Sequence, residues 1–193
     1  MIRSYLEAHW VAAALFMGVA LLLLLPLGVP GGDRALLLIY LASPIYMLHQ
    51  VEEHLGDRFR RFVNSRVFGG VEALTTGDVL VINLPGVWGI NLAALYAAYF
   101  VGPGWGLAAA WLILVNGLTH LGMAAHLRSY NPGLASAVLV FIPFGLYAVV
   151  TIPATMLQLV VALVIALGIH AAIALHALQR ARAARVAANA AAS

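Results

Sequence analysis

Residues 47–58 read Met-Leu-His-Gln-Val-Glu-Glu-His-Leu-Gly-Asp-Arg, and among them His49, Glu52 and Glu53 stand at i, i+3 and i+4. On a helix that spacing gathers an imidazole and two carboxylates on one face, with Tyr46 a turn earlier. By the same geometry His54 points more than a quarter turn away. Later in the chain Asn116 and His120 stand at i and i+4, with Met123 continuing their face and His126 off it.

Such side chains suit a divalent metal ion or a proton relay. A histidine and a carboxylate one helical turn apart can grip a single ion, as the paired histidines of helical zinc motifs do. That makes His49, Glu53 and His120 candidate metal ligands. Glu52 then takes the place of a general base, and Asn116 that of a donor to a developing oxyanion or a group that positions a ligand. His170 is a further candidate ligand, with a bond to its own helix carbonyl as the equal alternative. The implied cofactor is a divalent metal, zinc favoured over iron.

The elements that must carry these residues are membrane helices. Of the 193 residues 64% are hydrophobic and only 9% charged, and the mean hydropathy is +0.99; a soluble domain does not look like this. Six apolar segments are each long enough for a hydrocarbon core about 30 Å thick: 8–29, 34–55, 79–101, 105–127, 134–152 and 154–178. Gly/Pro breaks separate them, "GVPGGD", "VGPGW" and "YNPG" being the clearest and "TIPAT" the weakest. The expected fold is all-α, one polytopic domain forming a compact bundle of about six transmembrane helices, with an Ala/Arg-rich tail over 179–193 that continues the last helix before fraying. The N-terminus lacks the layout of a cleaved signal peptide, so the first helix is expected to be retained.

All ten basic residues are arginine. With six spans every one except Arg34 falls on one side, which the positive-inside rule makes cytoplasmic, with both termini there. The expected location is the plasma (inner) membrane, multi-pass. The basic balance, pI about 9.6, reads as loop bias rather than nucleic-acid binding. The same topology gathers all seven histidines in the cytoplasmic half. His9, His126 and His176 lie near the interface and need no chemistry; Arg58, Arg60, Arg61 and Arg66 form an amphipathic stretch beside anionic headgroups. Ionisable residues inside a span are costly, about 3 kcal/mol at a helix centre, and by default mark function. There is no cysteine, hence no thiolate ligand or nucleophile.

Three motifs occur in order: His49-Gln-Val-Glu52-Glu53, Asn116-Gly-Leu-Thr-His120 and Tyr130-Asn-Pro132-Gly133. With them the chain resembles the bacterial membrane-protein family named for its HXXEE motif, which also carries NxxxH and YxPG motifs. The resemblance covers roughly Met47 to Gly133. It implies that His49, Glu52, Glu53, Asn116 and His120 belong to one site, and it brings no established activity. The YxPG segment is expected as a helix–helix turn rather than a lid.

The leading expectation is a membrane-embedded metal-dependent enzyme, hydrolase-like, acting on a lipid or hydrophobic small molecule from the cytoplasmic leaflet. A di-iron oxidative enzyme would need more carboxylates than Glu52 and Glu53, since Glu7 and Glu72 are peripheral. A metal-free acid–base isomerase using a glutamate and a histidine is another reading. A transporter, sensor or haem-binding protein is the non-enzymatic one, and the absence of an internal repeat weighs against a transporter. The sequence leaves the oligomeric state open.

Overall fold

The computed structural model describes residues 2–29 and 31–192. Pro30, part of the first Gly/Pro break, lies outside the described residues. No strand occurs among the described residues, and the chain is a membrane helical bundle. Its helices are α1 (Ile2–Leu23), α2 (Arg34–His54), the short α3 (Arg58–Phe62), α4 (Thr76–Phe100), α5 (Pro103–Leu127), α6 (Leu134–Thr151) and α7 (Met156–Ala192). Six segments among the described residues are long and apolar enough to cross a membrane, and α3 falls at the end of the second, Arg34–Val67.

The ends of α2 are set by local chemistry. Asp33 accepts from the backbone of Ala35 at 2.9 Å and of Leu36 at 3.0 Å, capping the first turn. At 1.5 Å per residue its 21 residues rise about 31 Å, one hydrocarbon thickness. The helix stops where Gly56 (φ +68) and Asp57 (φ +60) enter the left-handed region in succession, which glycine does freely and aspartate tolerates. Arg58 closes that end by donating to the carbonyls of Leu55 (2.9 Å) and Glu52 (2.7 Å).

The reversal turns α3 back across the end of the bundle. Phe59, Phe62 and Val63 face inward onto Ala177 and Ala181 of α7, while Arg58, Arg61 and Arg66 stay exposed. Val63–Val67 continues α3 as one π-helical turn. The next span begins at Thr76, earlier than its apolar run, because Thr75 and Asp78 form a reciprocal capping box. The last helix runs unbroken to Ala192, through the Ala/Arg-rich stretch.

α2 and α5 are the inner helices. Half or more of each hydrophobic window is buried, 50% and 56%, against 11–33% for the other four spans. Ile39, Leu112, Ile113 and Phe141 fill the space between them. Small residues let the backbones close up: a Cβ on Gly145 of α6 would stand 2.8 Å from the Leu114 Cβ of α5.

Candidate metal centre

His49, Glu53 and His120 are buried together, and each offers one ligand atom within 4.8 Å of the others. The Nε2 of His49 lies 3.5 Å from Glu53 Oε2, and the Nε2 of His120 lies 3.5 Å from Glu53 Oε1. Two atoms bonded at about 2.1 Å to one tetrahedral ion stand about 3.4 Å apart. The three residues therefore form a group that can hold a metal ion.

The far side of each imidazole fixes its tautomer. Asn131 donates through Nδ2 to the His120 carbonyl at 2.9 Å, so its Oδ1 faces His120 Nδ1 at 2.6 Å. Nδ1 must carry the proton there, and neutral His120 has its lone pair on Nε2. For His49 the logic runs through one more residue. The Ser136 hydroxyl donates to Glu52 Oε2, so the same oxygen accepts from His49 Nδ1 at 2.7 Å. His49 Nε2 is then bare, buried and without a hydrogen-bond partner.

Two lone pairs thus converge on one buried carboxylate. A cation between them would satisfy all three groups. Histidine Nδ1–H groups tethered to a carboxylate-linked hydroxyl and to an amide oxygen are the usual outer support of metal-ligating imidazoles.

Glu52 does not join this group. Its Oε1 accepts from the Tyr130 hydroxyl at 2.6 Å and the Ala135 amide at 3.1 Å, and its Oε2 from the Ser136 amide at 2.8 Å as well as the Ser136 hydroxyl. Its carboxylate is committed to four donors, the Ser136 hydroxyl among them, and faces away from Glu53. Partial desolvation and the bond to Glu52 raise the Tyr130 pKa above its usual value, which keeps the phenol a donor.

His170 also stands outside the three-residue group. Its Nδ1 lies 2.8 Å from its own helix carbonyl at Ala166, which leaves Nε2 as the bare nitrogen. Asn116 sits a turn before His120 with its Oδ1 buried and unpartnered. Both residues, with Glu53 and His120, line one cavity of about 250 Å³. The structure thus divides the expected site residues: His49, Glu53 and His120 meet, Asn116 and His170 border the adjoining cavity, and Glu52 turns towards the loop.

Other residues emerge only in three dimensions. His54 is buried, its Nε2 3.0 Å from Glu53 Oε2, although an ideal wheel points it elsewhere. As the last residue of α2 it takes φ −110 and ψ −9, and its ring folds back towards its sequence neighbour. Gln50, fully buried, donates to Asn83 Oδ1 at 2.8 Å and accepts from Trp88 at 2.8 Å. Asn83 comes within 3.3 Å of His54 Nε2, tying α4 to this edge of the site. Phe141 lies against His49, ring centroids 4.1 Å apart, and ends a π-helical turn, Ala137–Phe141, of the kind that often marks functional positions.

The YNPG loop is built into the centre. Besides Tyr130 and Asn131, Gly133 (φ +95) is buried against both imidazoles: a Cβ there would stand 2.7 Å from His120 Cε1 and 2.9 Å from His49 Cε1. The motif spacing flagged Tyr130 and Gly133, but nothing local flagged Ser136, whose partners are 84 and 87 residues away. His9 and His126 are exposed; His176 is exposed too and pairs with Asp78 at 3.1 Å.

A family model described as "Protein of unknown function with HXXEE motif" matches residues 40–148. That stretch holds every residue of the centre, from His49 to Ser136. No match was found among curated proteins or among solved structures.

Proposed function

The chain belongs to the family of proteins of unknown function with an HXXEE motif, and from that premise we propose that it is a membrane-embedded metal-dependent enzyme, hydrolase-like, acting on a hydrophobic molecule drawn from the bilayer. One observation carries the reading: two buried histidines, each held through Nδ1, aim bare Nε2 atoms at one buried carboxylate. Two histidines and one carboxylate are the donor set of a catalytic zinc site that keeps a position open.

His49, Glu53 and His120 would hold the ion. Bound there, it would supply Lewis-acid polarisation of a substrate oxygen and activation of water. Glu52, through Ser136, keeps the His49 ring in register, and Asn131 does the same for His120. His54 steadies the Glu53 carboxylate from its outer side. His170 Nε2, bare and on the cavity wall, is the atom placed to accept a proton, and Asn116 is placed to hold the substrate's polar end. The scarcity of carboxylates favours one ion over a di-iron centre, because Glu52 is engaged elsewhere.

Elemental analysis of protein purified gently in detergent without chelators tests this. We expect about one zinc per chain in the wild type and near none in His49→Ala or Glu53→Gln. Wild-type protein that is folded and metal-free would overturn the reading; stoichiometric iron would move it from hydrolytic to oxidative chemistry.

A further inference from the structure

The cavity beside the centre has a polar pole, an apolar body and an opening, and each limits what can occupy it. Its body is walled by Phe59, Val63 and Phe68 below the α3 cap and by Ile82 and Ile173 of α4 and α7. At about 250 Å³ it is smaller than most ligand pockets, roughly 300–1,000 Å³, so what fits wholly within it is one short chain.

The cavity reaches the surface beside Val67, on the turn after α3, and also laterally. Thr119 of α5 and Ala174 of α7 line the cavity and are nevertheless exposed, and both lie within membrane-spanning segments. This side of the cavity therefore faces the bilayer, which offers an occupant a route from lipid without crossing water.

The polar pole is rich in acceptors. Glu53 presents its carboxylate and His120 a bare Nε2. His170 has its Nδ1 committed to Ala166, leaving Nε2 bare. Asn116 Oδ1 is buried without a protein partner, and a buried acceptor left unpaired is unfavourable. A head that donates a hydrogen bond satisfies these groups; an anionic head meets the Glu53 carboxylate and is repelled unless a metal ion intervenes.

We propose that this cavity seats a single-chain amphiphile with a hydrogen-bond-donating head, a hydroxyl or an amine, the head at Asn116 and His170 and the chain beneath α3. The inference deepens the metal-enzyme reading and rests on it for the cavity's role as the substrate site. It selects single-chain alcohols, amines or their simple derivatives over diacyl lipids and free fatty acids.

Photolabelling tests it. The full-length protein in phosphatidylcholine nanodiscs is stripped of metal and irradiated with a ten-carbon alcohol bearing a mid-chain diazirine. We expect label on peptides covering residues 59–68 and 169–177, competed by 1-decanol and decylamine and at least tenfold less well by decanoate. Ala174→Trp, which fills the mouth, should cut the labelling at least tenfold while the zinc content of the unstripped protein stays at the wild-type level. Asn116→Leu should weaken competition by 1-decanol about tenfold, as expected for one lost hydrogen bond. Label spread along the lipid-facing sides of α1 and α6, equal competition by decanoate, or labelling unchanged in folded Ala174→Trp would each overturn the proposal. Confined labelling of a protein that purifies without zinc would sink the metal reading and leave the binding site standing; zinc with unconfined labelling would do the reverse.

Discussion

At the scale of single residues, the centre depends on groups that would never touch the ion. Ser136 transmits the orientation of Glu52 to His49 through one hydroxyl, and loss of such an outer partner typically costs 10–100-fold in metal affinity. We expect Ser136→Ala to weaken zinc binding by about that factor, read by competition with a chelating dye, with little change in helix content. Gly133→Ala is a harsher change. Its methyl would press on both imidazoles, and its backbone sits at φ +95, so zinc occupancy and melting temperature should fall together. Much of this was legible in the residues: the spacing of His49, Glu53, Asn116 and His120 placed them in one neighbourhood. The roles of Glu52 and His54 were not legible, because the direction of His54 is set by its dihedrals at the helix end and the partners of Glu52 come from a loop more than seventy residues away.

Elements explain why those residues arrive together. The apolar runs made six spans plain, yet two signals beyond hydropathy decide where the site lies. One is the capping box at Thr75 and Asp78, which starts α4 before its apolar run; the pattern could have been read as T-x-x-D. The other is the Gly56–Asp57 reversal, which no periodicity reports and which carries Phe59 over the cavity. Gly56 has open space around it but φ +68, so a methyl there would strain the backbone without clashing. Forcing a non-glycine residue into that region costs about 1–2 kcal/mol. Gly56→Ala should therefore lower stability by that amount in a denaturant titration and leave zinc stoichiometry intact, whereas a metal-free Gly56→Ala protein would mean that the α3 cap is needed to assemble the centre.

Orientation belongs to the whole molecule and follows from where its charge lies. Arg58, Arg60, Arg61 and Arg66 cluster after α2, Arg128 follows α5, and Arg180, Arg182 and Arg185 extend α7, whereas Arg34 stands alone where α2 begins. Six spans, α1, α2 and α4 to α7, alternate in direction, so the α3 end, the ends of α5 and α7 and the candidate metal centre share one side, which the positive-inside rule predicts to be cytoplasmic. The absence of cysteine from the chain makes the test clean, since a single introduced thiol is the only one present. Ser65→Cys, exposed on the turn after α3, should react with a membrane-impermeant maleimide in inside-out vesicles and stay unlabelled in intact cells. Gly32→Cys, exposed just before α2, should show the opposite pattern. If Ser65→Cys is labelled from outside, the centre opens towards the outer leaflet, the arginines lie against the rule, and a substrate drawn from the cytoplasmic leaflet is ruled out, because the cavity sits at the α3 end of the bundle.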